Sequence, residues 1–194
     1  MRKLTYFVAT TIDGFIAEPG GSRPGDPSGF FLQGEHIQSI VDHYPDLLPV
    51  MAREALGVPP GLKEYDTVLE GRRSYEVGLD VGVTNAYPHL RHLVFSQTMP
   101  ESPDPTVELV AGDPVATVRE LKCEPGMKIY LCGGAKLAGA LREEVDELVV
   151  KLQPVVACAG TPLFDADFSL AWYDLRDVRR HGNGVLFLTY TRQR

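Results

Sequence analysis

The chain has 194 residues, 44% of them hydrophobic and 23% charged, which suits a single domain spanning 1–194 with an ordinary buried core. A formal net charge of -7 opposes a nucleic-acid surface, because binding a phosphate backbone calls for a basic excess. No apolar run approaches the roughly 20 residues that cross a bilayer, and Asp13 interrupts the N-terminal apolar stretch, so a cytoplasmic protein without a membrane partner is expected.

Leu4 to Thr11 reads as the first strand, turning through Ile12-Asp13-Gly14 into the apolar Phe15-Ile16-Ala17. Glu18 to Gly29, crowded with Pro, Gly, Ser and Asp, reads as a loop. From Gly34 a helical pattern sets Ile37, Ile40 and Val41 on one face until Pro45 and Pro49 break it; a second short helix covers Val50 to Leu56. A strand at Thr67 to Leu69 leads into a helix from Arg72 to about Val77. His92 to Phe95 and Val107 to Val110 are further strands, and Asp113 starts a helix with Pro114 in its first position and Val115, Val118 and Leu121 inward.

The strand Ile129 to Leu131, the helix Lys136 to Leu141 and the strand Glu147 to Leu152 complete the alternation. Such a series predicts an α/β fold with a mostly parallel central sheet and helices on both faces. The tail differs: Tyr173 to Arg180 and Val185 to Arg192 flank His181-Gly182-Asn183-Gly184, the mark of an antiparallel hairpin.

Two strand ends run straight into glycines and a helix start, at Gly71-Arg72-Arg73-Ser74 and at Gly133-Gly134-Ala135-Lys136-Leu137. A helix start presents free backbone N–H groups and a positive dipole end, which suits a phosphate. Two such turns, one carrying paired arginines, point to a dinucleotide. The G-x-G-x-x-G fingerprint, the P-loop, the zinc-deaminase signature and the nucleophile elbow are all absent. Cys123, Cys132 and Cys158 are odd in number and widely spaced, and the five histidines show no ligand spacing, so no disulfide framework or metal is expected. Asp13, in an Asp-Gly turn, reads as a structural residue bonding its own turn backbone.

In order and spacing, the segments Ala9 to Ala17, Gly71 to Glu76, Val94 to Ser96, Ile129 to Ala135 and Pro154 to Phe164 resemble the dihydrofolate reductase-like superfamily. Within it they are similar to the reductase half of the riboflavin-biosynthesis deaminase-reductase and its stand-alone relatives. The resemblance runs from about Lys3 to Arg192 and implies a three-layer fold, NADPH as cofactor, hydride delivery to a C=N or C=O carbon of a small heterocyclic or sugar-linked substrate, and a homodimer. Carried onto these residues, it implies that Gly71, Ser74, Gly133, Gly134, Ala135 and Lys136 lie along the pyrophosphate, with Leu137 packed behind. Arg72 or Arg73, with Ser96, Gln97 and Thr98, would take the 2′-phosphate or adenine edge, and Ala9, Ile16 and Ala17 would line the nicotinamide.

A true dihydrofolate reductase has a tryptophan soon after the first glycine loop and a carboxylate at the head of the first helix, whereas the single tryptophan here is Trp172 and the nearest carboxylates are Asp26 and Glu35. Phe31, Glu35 and His36 are the expected substrate contacts on the wall opposite the nicotinamide.

Overall fold

The computed structural model describes residues 1–21 and 34–193. β1 (Leu4–Thr10) is apolar on both sides because it runs through the middle of the sheet: Leu4, Tyr6 and Val8 meet one helical layer and Phe7 the other. It ends one residue before the expected Thr11, whose N–H instead closes the turn by donating to the Phe15 carbonyl at 2.9 Å. β2 (Phe15–Ala17) follows. α1 (His36–His43), a 3-10 turn at Pro45–Leu47 and α2 (Val50–Ala55) cover the face that carries Phe7.

β3 (Tyr65–Gly71) leads directly into α3 (Arg72–Asp80), which continues past Val77 through Gly78. β4 (Arg91–Phe95) and β5 (Val107–Val110) build outward from it. α4 (Pro114–Cys123) starts as its sequence dictates: the Asp113 carboxylate accepts from Val115 N at 2.9 Å, and Pro114 sits where no helical N–H is needed. β6 (Lys128–Gly133), α5 (Ala135–Ala140), β7 (Glu147–Leu152), β8 (Thr161–Pro162), β9 (Tyr173–Arg180) and β10 (Leu186–Arg192) complete the chain. β10 begins after Val185, whose carbonyl accepts from His181 N at 3.0 Å to close the hairpin turn.

The main sheet has the order β5-β4-β3-β6-β1-β7-β10-β9, parallel from β5 to β7 and antiparallel through β10 and β9. β2 and β8 form a separate two-stranded ribbon. One helical layer packs Val118 and Leu121 of α4 and Leu137, Ala138 and Leu141 around α5 against Leu4, Tyr6, Leu69 and Leu131. The other layer sets α1 against Val149 and Phe187, and α3 against Val94 and Val107. The result is the three-layer, mostly parallel α/β sheet with a C-terminal hairpin that the pattern predicts.

All six parallel strands end on one edge of the sheet. The chain builds β3, β4 and β5 outward, then returns to insert β6 between β3 and β1. Crevices of open α/β sheets form outside the carboxyl ends of strands at such a reversal. No helix among the described residues is long and apolar enough to cross a membrane.

Candidate functional site

The two glycine turns meet at this edge. β3 and β6 are neighbours, with Glu70 opposite Gly133. Gly133 has φ +133°, a conformation that side chains rarely adopt, and the Gly133–Gly134 peptide is cis. Gly71 and Gly134 are different, because their φ values of -79° and -87° suit any residue. A methyl on Gly71 would make ordinary contacts with Gly133 O and Gly134 N, both at 3.6 Å, and one on Gly134 would stand 3.4 Å from Ser74 Oγ. Neither backbone nor packing demands glycine at these two positions. Glycine leaves the backbone of both turns without side chains of its own, which suits a ligand that needs backbone within reach.

Gly71 leads into α3, which no side chain caps, so its first N–H groups are available to an anion. Ser74 stands beside the double glycine, Lys136 is exposed at the start of α5, and Ala135 and Leu137 are buried behind it. The paired arginines part company. Arg72 Nε donates to Glu76 Oε1 at 2.6 Å and its Nη1 donates to Thr98 Oγ1, so it leans toward β4. There Ser96 Oγ accepts from Thr98 N at 3.3 Å and Met99 N at 3.0 Å, shaping a turn that leaves Gln97 and Thr98 exposed. Arg73 leans the other way, its Nη1 donating to the Gly20 carbonyl at 3.3 Å in the loop after β2.

Ala9, Ile16 and Ala17 are all half-buried at the carboxyl end of β1 and on β2. Asp13 fixes this corner. Its carboxylate accepts from Thr11 Oγ1 at 2.6 Å, Ala157 N at 3.1 Å and Cys158 N at 2.7 Å, tying the first turn to the segment before β8. These bonds, the Thr11 hydroxyl foremost, hold its pKa below the ordinary carboxylate value. Asp13 is therefore structural, though it clamps a second segment as well as its own turn.

Of the expected substrate contacts, Phe31 lies outside the described residues, as does Asp26. Glu35 accepts a hydrogen bond from Gly182 N, and His36 is fully buried with Nδ1 2.9 Å from Asn183 Nδ2. Both bind α1 to the β9–β10 turn.

Sequence reasoning missed a buried polar chain under the first glycine turn. His92, fully buried, has Nε2 2.9 Å from Glu70 Oε2 and Nδ1 2.9 Å from Asn85 Oδ1. Glu70 and His92 are 22 residues apart in sequence, and the β3–β4 pairing brings them together. Cys132, next to Gly133, is no thiolate nucleophile, because burial pushes its thiol pKa well up. Among the described residues no group of His, Cys, Asp and Glu could hold a metal.

A depression of about 580 Å³ at the opposite, amino-terminal ends of the strands is lined by Met1, Arg119, Lys122 and Glu144. Its cations are already paired, Arg119 with Glu144 at 2.7 Å and Lys122 with Asp146 at 2.8 Å, so it makes the poorer ligand site.

The architecture is the dihydrofolate reductase-like fold. A candidate riboflavin biosynthesis protein from Shewanella sp. PV-4 superimposes with a TM-score of 0.69 at 20% identity, covering 100% of both chains. The diaminohydroxyphosphoribosylaminopyrimidine deaminase/5-amino-6-(5-phosphoribosylamino)uracil reductase of Thermotoga maritima matches with a TM-score of 0.63 at 15% identity over 99% of this chain and 57% of its own. Dihydrofolate reductase from Enterococcus faecalis, complexed with NADP(H), matches with a TM-score of 0.60 at 14% identity over 99% of this chain and 97% of its own. In sequence the chain is 26% identical to the uncharacterized protein YwjB of Bacillus subtilis over 186 residues, 95% of each. No protein-family model matches.

Proposed function

We propose that the chain is an NADPH-dependent reductase that transfers hydride to a C=N or C=O carbon of a small heterocyclic or sugar-linked substrate, in the manner of 5-amino-6-(5-phosphoribosylamino)uracil reductase. The observation that carries the reading is the pair of abutting glycine turns, where Gly71 and Gly134 are glycines that neither backbone conformation nor packing requires. The turns suit a pyrophosphate on the backbone N–H groups of Gly71 to Ser74 and of Gly133 to Lys136. Arg72, with Ser96 and Thr98, holds the adenosine 2′-phosphate. Ala9, Ile16 and Ala17 give the nicotinamide an apolar bed.

The cofactor, when bound, supplies the hydride; the protein positions it and keeps water away. Neighbours on the same fold that reduce a pyrimidine or carry NADP(H) favour this reading. Folate reduction is less favoured, because Glu35, the carboxylate at the head of the first helix, accepts from Gly182 N, and Trp172 is 70% exposed.

Calorimetric titration with NADPH and with NADH tests the proposal. NADPH should bind at least about tenfold tighter, the difference a charge-assisted phosphate contact makes. Oxidation of the bound cofactor is then followed with 5-amino-6-(5-phosphoribosylamino)uracil and dihydrofolate as acceptors. Failure to bind either nucleotide overturns the reading; binding without reduction of any acceptor makes the chain a nucleotide-binding protein on a reductase fold.

A further inference from the structure

β7 reads Glu147-Leu148-Val149-Val150-Lys151-Leu152, and its alternation turns Lys151 to the same face as Val149, which packs with Ile40, Leu48 and Phe187 beneath α1. The register partners of Lys151 are Ala9 on β1 and Phe187 on β10. It therefore sits at the carboxyl end of its strand, beside the residue assigned to the nicotinamide. Lys151 is 8% exposed, and its ammonium makes no hydrogen bond or ion pair with any described residue.

Among the described residues, Arg2, Arg53 and Lys122 are buried as deeply and each has partners. Arg2 bonds Asp66, Thr67 and the Met127 carbonyl; Arg53 bonds the carbonyls of Pro45, Pro59 and Gly61; Lys122 bonds the Glu144 carbonyl and pairs with Asp146. Lys151 stands apart from this pattern. Burial of the side chain opposes its charged form with no partner to offset the cost, and it alone lowers the pKa here. A fold retains such a group where a ligand completes it.

The same face supplies flat aromatic neighbours. Tyr44 and Phe187 are stacked, with planes 11° apart, and Phe7 lies 5.0 Å from Tyr44 between ring centroids. A cation next to rings and half-buried alanine suits a flat acid better than a sugar phosphate. We propose that Lys151 is the substrate-binding cation of this site, receiving an anionic oxygen of a planar heterocycle seated beside Ala9. The inference rests on the reductase reading for the fate of that ring as hydride acceptor, but not for the binding itself.

Orotate, a planar pyrimidine carboxylate, is the probe. It is titrated by calorimetry into the wild-type chain and into Lys151→Met, Lys151→Gln and Lys151→Arg, each with and without saturating NADP⁺. Wild type should bind orotate, Lys151→Met and Lys151→Gln at least about tenfold more weakly, and Lys151→Arg within about threefold, the scale of one charge-assisted contact. Two neutral variants guard against a folding defect in one, and a merely structural lysine would show no rescue by arginine. Absence of orotate binding to wild type, or equal binding by the neutral variants, overturns the proposal. Should NADP⁺ bind to none of the proteins, the reductase reading fails, and the titration without nucleotide still decides the role of Lys151.

Discussion

Gly71 and Gly133 close on one another across the β3–β6 seam, a methyl built on Gly71 lying 3.6 Å from the Gly133 carbonyl oxygen. That distance is ordinary contact, so Gly71→Ala should fold normally, with a melting temperature within about 3 °C of wild type. The methyl occupies the space assigned to the pyrophosphate, and NADPH affinity should fall at least about tenfold. Gly139→Ala is the contrast, since its methyl would meet the Asp165 carbonyl oxygen at 2.2 Å. There stability should drop by about 2 kcal/mol or more. Undiminished NADPH binding by Gly71→Ala would move the pyrophosphate elsewhere.

The parting of the two arginines turns one expectation into two. Arg72→Ala should weaken NADPH by about ten- to thirtyfold while leaving NADH nearly unchanged, because Arg72 leans toward Thr98 and Ser96. Arg73→Ala, whose guanidinium reaches Gly20, should shift NADPH and NADH equally and by less. Stability should fall by no more than about 0.5 kcal/mol in Arg72→Ala, which loses the exposed ion pair to Glu76 and the exposed hydrogen bond to Thr98. Paired calorimetric titrations decide it, and a larger NADPH-specific loss in Arg73→Ala would exchange the two roles.

Asp13 makes the corner at β1 and β8 sensitive to acid. Its pKa is lowered in the fold, chiefly by the Thr11 hydroxyl and then by the N–H groups of Ala157 and Cys158. The stabilisation is therefore complete above the ordinary value of 3.8 and disappears as pH falls through the lower, folded value. Cys158 has φ +64°, so the segment it occupies depends on that clamp. Asp13→Asn should be cleaved several-fold faster by a nonspecific protease between residues 154 and 160 at neutral pH. An unchanged cleavage rate there would show that the backbone holds without the carboxylate.

Lys151 carries a dependence of the same sign in a more alkaline window. Its pKa is lowered from 10.5 by burial, so between the folded value and 10.5 the unfolded chain binds more protons and stability rises with pH. Lys151→Met removes that slope and should be more stable at neutral pH, by about 1 kcal/mol or more, since an unpaired charge leaves the interior. Urea unfolding of both proteins from neutral pH upward measures it. Curves that stay parallel at all pH values would mean that the ammonium is already solvated.

The strands Val107–Val110 and Glu147–Leu152 stand where apolar periodicity predicts them, and the Gly-Asn turn marked the hairpin, because each depends on neighbours in sequence. β8 was not legible, since two residues including Pro162 carry no alternation. The glycine turns could be found but not their meeting, which the insertion of β6 beside β3 creates. Lys151 was hidden for a related reason: one lysine in an apolar strand reads as a solvated charge until the register sets it beside Ala9 and Phe187. The roles of Glu35 and His36 likewise waited on the hairpin turn to which they bind.

Glu70 and His92 offer the sharpest test of long-range organisation. Asn85 Nδ2 donates to Thr106 Oγ1 at 3.0 Å, and its Oδ1 accepts from Tyr87 N at 2.9 Å, which fixes the amide and makes His92 Nδ1 a donor to it. One proton then lies between His92 Nε2 and Glu70 Oε2, and the buried pair is satisfied as a unit. Removing one partner strands the other: Glu70→Ala or His92→Ala alone should cost about 3–5 kcal/mol. The double variant should cost less than the sum of the singles by at least about 1.5 kcal/mol, because the second change removes a group already left without its partner. Glu70 directly precedes Gly71, so the single variants should also weaken NADPH, with the turn no longer anchored from below. Urea unfolding of the four proteins closes the cycle, and strictly additive losses would show that Glu70 and His92 stabilise the sheet independently.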